Sequence, residues 1–264
     1  MSAAHPTTRA WLVRADNPSP MTLEGTNTWV LVEPGEQTAI VIDPGPDDAG
    51  HRNAVMATVA AAGASKVALV LLTHGHPDHA DGAPALAEAA NAPVRAAAPE
   101  LCSPGQQPLA DREQLGVARQ LEVLATPGHT ADSVCFVIGA TLLTGDTILG
   151  RGSTVVARPD GRLADYLASL RRLRALVDER QLRAVLPGHG PTRDDPAAII
   201  DTYLYHREER LQQVRAAAMN ADTVDEVLNA VYGDVEPALM FAARWSLLAQ
   251  LDYLRESGVS VPGE

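Results

Sequence analysis

Val67-Ala-Leu-Val-Leu-Leu-Thr-His-Gly-His-Pro-Asp-His79 runs an apolar hexapeptide directly into three imidazoles and a carboxylate. The apolar half reads as a buried strand. A strand that stops in a tight polar turn can aim several short side chains at one point. His74 and His76 alternate by two, so in extended backbone they project to the same side. Gly75 and Pro77 are turn formers set among them. Imidazole nitrogen and carboxylate oxygen are the ligand types that suit zinc and its first-row neighbours.

The same grammar recurs three times downstream. Leu121-Glu-Val-Leu-Ala125 leads through Thr-Pro-Gly to His129, Leu142-Leu-Thr-Gly leads to Asp146, and Val185-Leu-Pro-Gly leads to His189. In each, apolar residues run into a small turn residue and then one metal-competent side chain. Taken singly, His129 or His189 reads as an ordinary loop histidine. As a set on matching strand ends, at the carboxyl edge where open α/β sheets build their sites, they read as one constellation.

Between these points strands and helices alternate. Strands are expected over 11–14, 28–33, 38–43, 67–72, 94–97, 121–125, 134–138, 141–143 and 184–186, and helices over 49–62, 83–90 and 164–177. Leu167, Leu170, Leu173 and Leu176 trace an apolar face on the last of these. The pattern is that of an α/β protein. After Pro196 only helices are expected, at about 196–217, 223–232 and 238–256, with Asp222-Thr223 as a start signal for the second.

The 264 residues carry a formal charge of −12, with one lysine, Lys66, among the 21 basic residues. An acidic surface works against non-specific nucleic-acid binding. Residues 197–264 hold five arginines against eleven acidic residues, so a packing or substrate-capping role suits this tail better than phosphate contacts. No stretch approaches the ~20 apolar residues of a membrane span. The start, Met-Ser-Ala-Ala-His-Pro-Thr-Thr-Arg9, has no apolar core of a signal peptide, and a cytoplasmic location is expected. Two cysteines, Cys102 and Cys135, exclude a disulfide scaffold as the organising principle.

His-x-His-x-Asp-His at 74–79, followed in order by His129, Asp146 and His189, resembles the metallo-β-lactamase superfamily of binuclear metal hydrolases. Asn17-Pro-Ser-Pro-Met-Thr-Leu-Glu-Gly-Thr-Asn-Thr-Trp29, Leu186-Pro-Gly-His-Gly-Pro191 and Tyr205-His-Arg207 narrow the likeness to the beta-lactamase-like protein 2 group. The resemblance implies an αββα sandwich over 1–195, with the site at the shared edge of two sheets, and a small all-helical, winged-helix-like domain over 196–264. It implies that His74, His76 and His129 hold one metal, that Asp78, His79 and His189 hold the second, and that Asp146 bridges. Two Zn2+ per chain suit this set best, with Mn2+ or Fe2+ as alternatives.

The chemistry then expected is attack by a metal-bridging hydroxide, with Asp78 orienting it and taking up its proton. Asp43 and Asp132 are candidate partners for the outer nitrogens of the imidazoles. Thr26 and Asn27 could border the site or form a simple turn. His206, Arg207 and Arg210 are candidates for an anionic part of a substrate, or for a solvated helix face. The subgroup likeness leans the substrate toward single-stranded RNA; a small ester or thioester is the alternative, and a non-enzymatic binding protein on this scaffold a remote one. Only 43 residues separate Asp146 from His189, too few for the inserted domain of dedicated RNA-processing members. Asp146 in place of Cys disfavours antibiotic hydrolysis, and His76 in place of Glu disfavours the oxygen-reducing diiron relatives.

Overall fold

The computed structural model describes residues 10–33, 35–116 and 121–263. Residues 1–9, which carry the expectation of no signal peptide, lie outside them. Two five-stranded mixed sheets face each other. The first runs β1 (Ala10–Arg14), β2 (Asn27–Val32), β3 (Thr38–Ile42), β4 (Lys66–Leu71), β5 (Val94–Arg95) in spatial as in chain order. The second runs in the reverse of chain order, from β10 (Ala184–Pro187) through β9 (Thr141–Gly145), β8 (Val134–Ile138) and β7 (Leu121–Ala125) to β6 (Gln114–Leu115). Pairing is parallel at β3–β4, β4–β5 and β9–β10 and antiparallel elsewhere.

The period-two rule assigns the faces. Trp29 and Leu31, Ile40 and Ile42, Leu69 and Leu71 point between the sheets, where they meet Leu121, Val123, Val134, Phe136, Ile138 and Leu143 from the second sheet. The alternate residues Val30, Val32, Ala39 and Val41 pack outward against Val55 and Val59 of α1 (Ala49–Ala61) and Leu86 of α3 (Ala83–Ala90). On the opposite side Cys135, Val137, Leu142 and Val185 receive the apolar face of α4 (Leu163–Arg180) and the first turns of α5 (Pro196–Ala218). Helix, sheet, sheet and helix are thus the four layers expected. Strands buried on both faces read as continuous apolar runs, which explains sequences such as Val67–Leu72.

The remaining helices are α2 (Pro77–Ala80), α6 (Val224–Tyr232) and α7 (Met240–Glu256). Thr223 caps α6 through a reciprocal pair with Glu226. The tail is helical as expected, and no β-strand follows α7 among the described residues. Ile199, Ile200 and Tyr203 of α5 sit in the same core as α4, and a second small core begins only at Val214, with Val227, Leu247 and Leu251. No helix among the described residues is long and apolar enough to cross a membrane.

Candidate metal centre

The sequence ends each of four strands in the same way, and the fold brings those ends together. β4 runs out at Leu71, and its continuation supplies His74 and His76. Pro77, at the first position of α2, starts a single turn that carries Asp78 and His79. The second sheet contributes His129 after β7, Asp146 after β9 and His189 after β10.

Three groups of ligand atoms form, each within 4.8 Å of one another: His74, His76 and His129; His74, His79 and Asp146; Asp78, His79 and His189. In the first, His76 Nδ1 lies 3.1 Å from both His74 Nε2 and His129 Nε2. In the last, His79 Nε2 and His189 Nε2 are 3.2 Å apart, and Asp78 Oδ2 lies 3.4 and 3.3 Å from them. Asp146 stands between: Oδ1 is 3.5 Å from His79 Nε2, and Oδ2 is 3.3 Å from His189 Nε2 and 3.8 Å from His129 Nε2. All seven residues expected as ligands therefore converge. Gly188 leaves room for them, since a Cβ there would lie 2.5 Å from Asp146 Oδ1 and 2.7 Å from His79 Cε1.

Hydrogen bonds on the outer nitrogens fix which nitrogen of each ring faces inward. His79 Nδ1 donates to Asp43 Oδ2 at 2.9 Å. Thr73 commits its hydroxyl proton to the same Asp43 oxygen at 2.7 Å, so His74 Nδ1 donates to Thr73 Oγ1 at 3.0 Å. His129 Nδ1 donates to the Val155 carbonyl at 2.7 Å, and His189 Nδ1 faces the Gly25 carbonyl at 3.4 Å. Each of these four rings thereby directs its Nε2 to the centre, where the neutral ring offers a lone pair. Asp146 Oδ1 is buried without a hydrogen-bond partner among the described residues. Inward lone pairs and an orphaned carboxylate oxygen are what a cation satisfies.

Charge within the cluster is strongly coupled. Burial and the neighbouring imidazoles hold His74 well below its ordinary pKa, and burial lowers His129. Burial would also depress His189, but the Asp146 and Asp78 carboxylates outweigh it and push that ring up to about 10. Burial would raise Asp78, yet the His189 hydrogen bond and the His79 charge bring it down to about 2.

The residues expected around the ligands divide. Asp43 is a partner of His79, as anticipated; Asp132 bonds Thr130 instead of an imidazole. Asn27 is only 1% exposed, and its amide donates to the Pro187 and Gly190 carbonyls on either side of His189. Arg207, 8% exposed, bonds the Thr154 carbonyl and lies over the Tyr166 ring, 5.0 Å from its centroid. Arg210 bonds the Val231 carbonyl and lies over Tyr232. Both arginines brace the tail instead of standing on a solvated face, and with His206 they line one cavity beside Thr154 and Val155. His206 alone of the four is exposed. Sequence reasoning missed Thr73, Asn17 and the Val155 carbonyl; Thr73, directly before His74, carried the nearest available signal.

The family model of the Metallo-beta-lactamase superfamily matches residues 21–189, a span that holds all seven converging residues. The chain belongs to the metallo-beta-lactamase superfamily. It is 30% identical to a beta-lactamase-like protein 2 homolog of Drosophila melanogaster, over 92% of this chain and 86% of that protein. It is 31% identical to an atrochrysone carboxyl ACP thioesterase of Aspergillus fumigatus, over 84% of this chain and 72% of that one. A crystal structure of a metallo-beta-lactamase family protein from Thermus thermophilus superposes with a TM-score of 0.77 at 26% identity, covering 94% of each chain. Members of the superfamily are in general metal-dependent hydrolases, and this chain is an enzyme of that kind.

Proposed function

We propose that the chain is a binuclear metal hydrolase of uncharged acyl thioesters. One observation carries the substrate class. The open groove beside His76 is lined by Glu100, Asp132 and Asp160, with no lysine or arginine along it among the described residues. Single-stranded RNA, the substrate toward which the sequence leaned, would lay a phosphate chain against three carboxylates. A neutral acyl group meets no such repulsion, and the likeness to a fungal thioesterase supports the same class.

In this reading His74, His76 and His129 hold one cation, Asp78, His79 and His189 the other, and Asp146 both. The nitrogen and oxygen donors suit Zn2+ best and accept Mn2+ or Fe2+. When bound, the cations lower the pKa of water and polarise the acyl carbonyl. The chain's own groups do the rest. Asp43 keeps the proton of His79 on Nδ1. Asp78, ionised at neutral pH and with a side chain 28% exposed, accepts a hydrogen bond from the attacking water and so orients it. A carboxylate with a pKa of about 2 does not retain a proton near neutrality; the proton passes on to solvent or to the departing thiolate. Water oxygen bonds the acyl carbon and the C–S bond breaks, giving acid and thiol.

Turnover of acyl thioesters of graded chain length and of a single-stranded RNA oligomer, each against an Asp78→Ala control, tests the reading. Thioester hydrolysis above the control with no RNA cleavage is expected; the reverse overturns the substrate class. Fewer than two cations per folded chain after zinc supplementation overturns the binuclear site.

A further inference from the structure

Asn17, Thr26 and Asp78 form a directed chain of hydrogen bonds that the reaction scheme above does not use. Thr26 Oγ1 donates to Asp78 Oδ2 at 2.8 Å, the oxygen that also faces His79 and His189. The hydroxyl has no other direction to turn, because Asn17 Nδ2 donates to it at 3.0 Å and occupies its acceptor side. The Asn17 amide is itself oriented: its Oδ1 accepts the Thr26 backbone N–H at 2.9 Å. Swapping the amide would put a donor against that N–H and lose both bonds. Thr26 is fully buried at 0% exposure, so no water competes for its hydroxyl.

Backbone structure accounts for the rest of this residue. Its carbonyl accepts the Ala15 N–H at 2.9 Å, and it forms an isolated bridge to His189. The hydroxyl is therefore the one polar group of Thr26 that serves Asp78. Asp78 needs it, since its carboxylate sits on a four-residue helix and is partly exposed, where solvent would otherwise let it turn away. The segment also grips the next ligand: Gly25 presents its carbonyl to His189 Nδ1, and Asn27 bonds both flanks of His189. The other ligand group is supported from elsewhere, His74 by Thr73 and His129 by Val155.

We propose that Thr26, oriented by Asn17, is a positioning residue that sets the affinity of the Asp78–His79–His189 cation site without altering that of the His74–His76–His129 site. This rests on the binuclear reading. The hydrogen bonds run between the chain's own groups and fix the direction of the carboxylate. Loss of such an outer partner typically weakens metal binding 10–100-fold.

The test is stepwise Zn2+ titration of chelator-stripped protein against a chromophoric competitor, for wild type, Thr26→Val, Thr26→Ser and Asn17→Ala. Expected are two binding steps in wild type, with one step weakened about 10–100-fold in Thr26→Val, a smaller loss in the same step in Asn17→Ala, and wild-type steps in Thr26→Ser. Two unchanged steps in Thr26→Val, equal weakening of both, or failure of serine to restore the loss overturns the proposal while leaving the binuclear reading intact. A single step in wild type overturns the binuclear reading instead, and the proposal with it. If Thr26→Val does not fold, judged by circular dichroism of the stripped protein, Asn17→Ala decides the matter, because Asn17 is partly exposed and its loss spares the core.

Discussion

Asp43→Asn is expected to weaken both cation sites together, and the reason lies in how many donors one carboxylate serves. Oδ1 accepts the Thr73 backbone N–H at 2.7 Å, and Oδ2 accepts the Thr73 hydroxyl at 2.7 Å and His79 Nδ1–H at 2.9 Å. An asparagine has one acceptor oxygen and an NH2 that must face one of these two positions. Turned toward Thr73 N–H, it leaves a buried donor unpaired, at about 1–3 kcal/mol. Turned the other way, it forces His79 to carry its proton on Nε2, where a ligand lone pair is needed, and it reverses the Thr73 hydroxyl that orients His74. Since Asp43 thus reaches one ligand of each group, both binding steps weaken about 10–100-fold, or roughly 1.4–2.7 kcal/mol each. Asparagine is the right probe because residue 43 has φ 52°, a left-handed conformation that Asn tolerates; alanine would add strain of roughly 1–2 kcal/mol. Metal titration by competition and urea denaturation of the stripped protein measure the two effects. Wild-type affinities at both steps together with an unchanged denaturation midpoint would refute the reasoning.

Gly188→Ala places a methyl 2.5 Å from Asp146 Oδ1 and 2.7 Å from His79 Cε1, so overpacking of about 1–3 kcal/mol displaces ligands from both groups; plasma emission analysis should find fewer cations per chain than in wild type, and full occupancy would contradict it. Acidity supplies another check on the metal-free protein. His189, raised from 6.5 to about 10, contributes stability that is fully present below pH 6.5 and lost as pH rises toward 10. Asp78, lowered from 3.8 to about 2, contributes stability present above pH 3.8 and lost toward pH 2. Thermal melts of stripped protein should therefore fall on both sides of the pH 4–6.5 window, while apparent Zn2+ affinity climbs from pH 6 to 9 as the His189 proton becomes easier to displace; affinity that is flat over that range would contradict the assignment.

The ligands were legible in the sequence because each obeys a local rule. Gly75 and Pro77 marked the turn that carries His74 and His76 beyond the end of β4 at Leu71, and small residues at strand ends marked His129, Asp146 and His189. Regular elements with strong apolar patterns, such as β7, β8 and α3, coincide with the expected spans. Among the short elements that escaped, β6 is only Gln114 and Leu115, and α2 is a single turn, both below the length at which a period can be seen. The outer hydrogen bonds were the harder part. Thr26 to Asp78 spans 52 residues and Asn27 to Pro187 spans 160, and Val155 acts through a carbonyl, which every residue has. Arg207 was misread for the same kind of reason. Its helix position shows a charged residue among charged neighbours, while its surroundings, Thr154 and Tyr166, come from distant parts of the chain.

Each ligand group draws on both sheets. His74 and His76 come from the first and His129 from the second; Asp78 and His79 come from the first and His189 from the second; Asp146 reaches across. The sheets do not depend on this edge for their assembly, because Trp29, Ile40, Ile42, Leu71, Leu121, Val123 and Phe136 already pack between them, each at most 4% exposed. That burial is proportional to area and indifferent to angle. A shift of one sheet against the other by an ångström would open the 3.1–3.2 Å spacings between inward nitrogens. Cations bound only by the folded chain stabilise it by about 2.7 kcal/mol per site at a hundredfold excess over the dissociation constant, and that free energy acts at the edge where the apolar layer is least selective. Burial brings the sheets together, and on the binuclear reading bound cations would fix their relative position at the edge where substrate is held.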